Sequence, residues 1–242
     1  MILKVTADSF PDGKKNYVAG MFDDIALKYY FLNHFLSFGI DKRWRKKLVK
    51  TLNTSHHQNI LDLATGTADL AIKIAQTIEK SRVTAIDISE NMLRIGAIKV
   101  LKNNLSDRIE LKKGDAENIE YNDQTFNAAT VAFGVRNYEN LNQGLKEMLR
   151  VLKPGGKIAI LEFSMPESKI FLILYKFYFR IILPFVGRMI SKNFYAYTYL
   201  PNSVYDFPDP STFQQILQQI GFKHVKCEKL TFGVCSLYTG IR

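Results

Sequence analysis

Residues 60–64 (ILDLA) form a short apolar run with one acid inside it, TGTAD follows, and then Leu70, Ile74 and Ile78 recur four apart. Such a run bounded by turn residues, with a period near 3.6 after it, predicts strand, tight turn and helix. The same order returns in RVTAIDIS (82–89), a strand ending in an acid, and in NMLRIGAIKVLKNN, a helix for which Ser89 is the expected cap. RIELKKGDAENI predicts a short strand and a polar loop, FNAATVAFGV a buried strand, and NLNQGLKEMLRVL an amphipathic helix. Lys153-Pro154-Gly155-Gly156 is expected to end that helix, and KIAILEFS begins a fifth strand.

Strands alternating with helices over 60–164 predict an open parallel sheet covered by helices on both faces. The tail changes the rhythm. STFQQILQQIGF is a helix closed by Gly221, and KHVKCEKL and GVCSLYTGIR alternate as two strands joined by a short turn. The expected fold is α/β and Rossmann-like: a mostly parallel seven-stranded sheet with an antiparallel C-terminal hairpin. No repeat or linker divides the 242 residues, so a single domain over 1–242 is expected.

Composition adds little. Hydrophobic residues at 47% and charged residues at 23% are globular values. The N-terminus lacks an apolar run of signal-peptide length and carries Asp8 and Asp12, which gives a cytoplasmic expectation. Cys227 and Cys235 lack metal-ligand spacing and read as reduced thiols, His56 and His57 read as solvated loop residues, and no metal is expected. A net charge of +10 admits nucleic acid, an anionic membrane surface or an anionic substrate. Basic clusters at 42–47 and 169–188 come with no DNA- or RNA-binding motif, so nucleic acid is not an expected partner. Oligomeric state is not legible.

In an open sheet the ligand lies beyond the carboxyl ends of the strands. Gly66 sits there, directly before a helix, where backbone N–H groups and the helix dipole favour a phosphate or the carboxylate of a methionine moiety. Asp62, inside the first strand, suits an ammonium group or the ordering of the turn. Asp87 closes the second strand about twenty residues after the glycine turn, where ribose hydroxyls need an acceptor. Asp115 closes the third as an acceptor for an adenine amino group. A nicotinamide enzyme shares the first two features, but Thr67-Ala68-Asp69 stands where a dinucleotide fingerprint has further glycines. Asp115 and the KPGG element favour methyl transfer; an NAD(P)-dependent oxidoreductase is the alternative.

With these residues in place, the chain resembles class I S-adenosylmethionine-dependent methyltransferases, and more narrowly the ubiquinone/menaquinone biosynthesis C-methyltransferases. The narrower resemblance rests on 22–45 (FDDIALKYYFLNHFLSFGIDKRWR), 61–70 (LDLATGTADL), 133–137 (FGVRN) and 149–164 (LRVLKPGGKIAILEFS). It continues through 197–209 (YTYLPNSVYDFPD) and the C-terminal TFGVCSLYTG. It implies cofactor contacts from Thr67, Asp87, Asp115 and Ala116. It also implies a helical N-terminal lid over 15–55, a substrate-side helical insertion over 165–210, and a polyprenylated quinol as acceptor, with demethylmenaquinol foremost. Departures are Ala64 for a frequent glycine, Ala132 for a frequent serine, and Tyr30 where aspartate is usual. That last departure keeps a non-enzymatic interaction subunit as a further alternative.

A sulfonium methyl group is already activated, so the enzyme's tasks are positioning, exclusion of water and stabilisation of a phenolate. Arg136 is the candidate for holding the oxyanion or organising a proton acceptor, and Tyr29 for a ring or hydroxyl beside the substrate. The stretch 169–190 is apolar but interrupted by Lys176, Arg180 and Pro184, so it does not read as a membrane span. A helix lying in a membrane surface, a tunnel wall or a packed helix with one wet edge are its readings.

Overall fold

The computed structural model describes residues 13–36, 39–52, 58–166, 168–177 and 194–242. Two helices, α1 (Lys14–Leu36) and α2 (Ile40–Thr51), precede the alternating region. There follow β1 (Gln58–Leu63), α3 (Asp69–Thr77), β2 (Ser81–Asp87), α4 (Glu90–Lys102), β3 (Ile109–Lys113) and β4 (Phe126–Ala132). After a 3-10 turn at Val135–Asn137 come α5 (Leu141–Val151), β5 (Leu152–Phe163), α6 (Lys169–Phe177), α7 (Phe194–Asp206) and α8 (Pro210–Ile220). A hairpin of β6 (Lys223–Leu230) and β7 (Cys235–Ile241) ends the chain, its turn a 3-10 segment at Thr231–Gly233.

The seven strands lie in the order β3-β2-β1-β4-β5-β7-β6. The first five are parallel, and β7 runs antiparallel to both β5 and β6. The expected α/β sheet with its antiparallel hairpin is present, with β7 wedged between β5 and β6.

Alternation along β1 sets the two faces of the core. Ile60 packs with Trp44, Leu48, Leu70 and Ile74 of α2 and α3, whereas Leu61 and Leu63 pack with Leu145, Met148, Phe213 and Leu217 of α5 and α8. Asp62 shares the Ile60 face, which brings a carboxylate beneath α2 and α3.

The caps follow the sequence. Ser89 Oγ accepts from Met92 N at 3.2 Å, and Gly221, at φ 118°, supplies the left-handed residue that closes α8. Asp209 caps the start of that helix with Pro210 in its first turn. The KPGG element differs from expectation: β5 begins at Leu152 and runs through it. The register between β4 and β5 shifts between Phe126 and Ala128, and Gly155 at φ 74° lets the strand bulge there. The expected fourth strand likewise stops at Ala132, because Phe133 turns to φ 63°.

Candidate functional site

The carboxyl ends of β1 to β4 open into one cleft, roofed by the start of α1 and by α2. It holds about 940 Å³ of space, its open mouth included.

The turn after β1 is built from left-handed backbone. Ala64 (φ 50°), Gly66 (φ 56°) and Ala68 (φ 63°) alternate with Thr65 and Thr67, and α3 starts immediately afterwards. Gly66 N–H donates to Asp87 Oδ2 at 2.7 Å, and Ser89 N–H donates to Asp87 Oδ1 at 2.8 Å. Asp87 is thus the clamp between the β1 turn and the β2 turn. Burial raises its pKa to about 6 against these two bonds, which pull it down.

Asp62 is 1% exposed and accepts the hydroxyls of Thr65 at 2.6 Å and Thr130 at 2.7 Å. Burial lifts it also to about 6. Of its two expected roles, the observed bonds perform the ordering of the turn. Thr67 Oγ donates to Asp69 at 2.9 Å and accepts from Lys99 Nζ at 3.1 Å, so its hydroxyl is held to the first turn of α3.

At the end of β3, Asp115 accepts from Glu117 N at 2.8 Å and pairs with Lys15 Nζ at 2.6 Å. Ala116 lines the same wall. The lysine comes from α1, one hundred residues away. Lys14 beside it donates to the carbonyls of Arg136 and Tyr138 at 2.9 and 2.8 Å. Asp23, two turns along α1, accepts Ser89 Oγ at 2.6 Å and Asn91 N at 3.0 Å. The beginning of α1 is therefore tied to the loops after β2, β3 and β4.

Arg136 is brought to this end of the sheet but not to the cleft wall, which its neighbours Asn137 and Tyr138 line. Its guanidinium is buried against Glu162 at 2.8 Å, the carbonyl of Phe133 and Ser203 Oγ at 3.2 Å. Glu162 also accepts the backbone N–H of Arg136 at 3.1 Å. The bonds observed for Arg136 are those of a residue that holds the 133–137 loop to β5 and α7. Tyr29 and Tyr30 lie within α1, but their side chains fall outside the described residues, as do His56, His57 and 178–193.

Several site residues escaped sequence reasoning. Glu162 was signalled only as an acid in the apolar strand AILEF, and it is fully buried. Arg45 lines the cleft from α2, pairs with Asp41 and lies 5.4 Å from the centre of the Phe133 ring. Its signal was helical spacing with Asp41 and Leu48 on the apolar face of an otherwise basic segment. Lys15 had no signal at all.

The residues suit an adenosyl and methionyl group. The hydroxyl of Tyr138, a residue of the cleft wall, is buried without a partner among the described residues, and the carboxylates that follow β2 and β3, Asp87 and Asp115, line the same cleft. Comparison with known proteins agrees. Residues 11–242 match the model of the ubiE/COQ5 methyltransferase family. The ubiquinone/menaquinone biosynthesis C-methyltransferase of Geobacter sulfurreducens is 44% identical over 228 residues, 94% of this chain and 89% of its own. The demethylmenaquinone methyltransferase of Bacteroides fragilis is 41% identical over 96% of this chain and 95% of its own.

Among solved structures, a SAM-dependent methyltransferase from Aquifex aeolicus shares the fold at a TM-score of 0.57 and 20% identity, over 81% of this chain and 88% of its own. The [4+2]-cyclase SpnF does so at 0.70 and 15%, over 95% and 96%. The full-length match, together with an acid-closed cleft at the ends of β1 to β4, leaves no place for the nicotinamide reading: the chain belongs to the ubiE/COQ5 methyltransferase family.

Proposed function

We propose that this protein transfers a methyl group from S-adenosylmethionine to a ring carbon of a polyprenylated demethylquinol, demethylmenaquinol foremost. The observation that carries the cofactor half is Asp87, which ends β2 inside the cleft and fastens the glycine turn of β1 through Gly66. The acceptor half rests on the relatives, whose names specify ubiquinone/menaquinone biosynthesis and demethylmenaquinone.

When bound, the cofactor supplies a methyl group activated on a sulfonium. Asp87 accepts the ribose hydroxyls, and Asp115 accepts the adenine amino group, with Ala116 packing beside the ring. Gly66 and Thr67 present the N-terminal end of α3 to the methionine carboxylate, and Asp62 faces its ammonium group. The lid of α1 and α2 excludes water, with Lys15 closing over Asp115. Arg136 acts as a positioning residue that fixes the loop bearing Asn137 and Tyr138, and Tyr29, from the sequence, is the candidate for a ring or hydroxyl beside the acceptor. The acceptor carbon becomes nucleophilic as its neighbouring hydroxyl loses a proton, so the site must favour phenolate.

The decisive experiment is methyl transfer from labelled cofactor to a demethylquinol by the purified protein. Transfer that is lost in Asp87→Ala, with weakened S-adenosylhomocysteine binding, supports the assignment. Tight binding of the cofactor product without any transfer would instead establish a non-catalytic interaction subunit. The lipid-like acceptor also points to work at a membrane surface, for which the apolar stretch 169–190, described only over 169–177, is the candidate contact. No helix among the described residues is long and apolar enough to cross a membrane.

A further inference from the structure

At the far edge of the sheet, away from the cofactor acids, the hairpin of β6 and β7 ends in an unusual tip. Thr231 and Phe232 adopt φ 48° and 58°, left-handed values that cost an L-residue about 1–2 kcal/mol each. Phe232 nevertheless points its ring outward and is 68% exposed. Water gives no reason to hold a phenylalanine on a strained turn.

The tip is braced from two sides. Trp44 of α2 donates its indole N–H to Thr231 Oγ at 2.8 Å, and Phe171 of α6 stacks on Phe232 with ring centres 4.0 Å apart. Helix α6 extends the apolar surface, because Ile170, Ile173 and Phe177 are 70%, 67% and 53% exposed. Their spacing of three and four places them along one stripe of the helix. Helix α2 contributes charge. Its buried side carries Trp44, Leu48 and Val49, and Lys42, Arg43, Lys46 and Lys50 cover its exposed side.

We propose that this edge is a docking surface for an anionic phospholipid bilayer, in which Phe232 and the Ile170, Ile173, Phe177 stripe enter the acyl boundary and the exposed cations of α2 meet the headgroups. The proposal deepens the quinol reading and rests on it, since a prenylated acceptor resides in the bilayer. Charge complementarity selects this occupant: aromatic and aliphatic anchors flanked by a run of lysine and arginine are what an anionic interface binds, and the acids of α2 and the hairpin, Asp41 and Glu228, are taken up by Arg45 and Lys47. The strained tip is braced from within the chain by Trp44 and Phe171, so the anchor is preformed and docking costs little ordering entropy.

The test is flotation of the full-length protein with vesicles of phosphatidylcholine alone and of phosphatidylcholine with 30% phosphatidylglycerol, in low and high salt. Wild type should float with the anionic vesicles and lose that binding in high salt. Phe232→Ser combined with Ile173→Ser should weaken the partition roughly tenfold or more. Lys42→Glu with Lys46→Glu should abolish the preference for phosphatidylglycerol. All these side chains are exposed, and thermal melting checks that each variant folds.

Methyl transfer to a short-chain, water-soluble demethylquinol separates the two readings. The surface variants should retain it, while their transfer to a long-chain acceptor in vesicles falls. Wild type that ignores vesicles, variants that float as well as wild type, or a dimer in sedimentation that Phe232→Ser dissolves would overturn the docking surface. None of those results touches the quinol assignment, which fails only if the soluble acceptor is not methylated.

Discussion

Glu162→Gln tests whether the Arg136 pair is what holds the 133–137 loop. Glu162 has no solvent exposure and accepts three hydrogen bonds, from Arg136 Nη1 at 2.8 Å, Arg136 N at 3.1 Å and Phe163 N at 2.9 Å. Glutamine preserves the shape but offers one carbonyl oxygen, and it turns an amide against at least one of those donors. The Arg136 side chain, 3% exposed, keeps its charge and loses its carboxylate partner. Breaking a buried pair from one side costs about 3–5 kcal/mol, because the remaining charge is buried and uncompensated. For a chain of 242 residues that is a fall of roughly 6–20 °C in Tm.

Urea unfolding followed by circular dichroism measures the change through the midpoint at constant slope. The double variant Glu162→Gln, Arg136→Met removes the charge that has lost its carboxylate and should be more stable than the sum of the single losses by about 1 kcal/mol or more. A single-variant loss below about 1 kcal/mol, or strict additivity, would refute the argument that this pair anchors the loop.

Other consequences can be checked independently. Gly134→Ala puts a methyl 2.5 Å from the Cβ of Ala64 and should cost about 1–3 kcal/mol; adding Ala64→Gly should recover much of it, measured as a thermal-shift cycle. Asp62 and Asp87 bind their protons more tightly in the folded chain than in the unfolded one, at about 6 against 3.8. Their contribution to stability is therefore full below pH 4 and is lost as pH rises through 6, by about 2–3 kcal/mol for each. Unfolding of Asp87→Asn should show a smaller fall over that window than wild type, and an identical profile would contradict the burial argument. Affinity for S-adenosylhomocysteine should tighten as pH rises through about 6 in calorimetry, because the ligand's hydroxyls need the ionised Asp87.

The pattern of hydrophobic and turn residues alone determined the order of strands and helices over 60–164 and in the C-terminal tail, and the caps at Ser89 and Gly221. These are set within a few residues of one another. It also brought Gly66, Asp87 and Asp115 to one edge, since a parallel sheet gathers the ends of its strands whatever the distance along the chain. The position of β7 between β5 and β6 was not legible, because alternation shows that a strand has two faces but not which strand lies beside it.

Nor were the partners of charged groups. Arg136 reads from sequence as the candidate for holding an oxyanion, and only the packing of β5 behind its loop places Glu162 against it. Lys15 meets Asp115 across one hundred residues because α1 folds back over the cleft, a contact with no local signature. Local periodicity decides elements, and elements decide where strand ends meet. Which charge neutralises which is decided by tertiary packing, where burial makes an unpaired group too costly to leave alone.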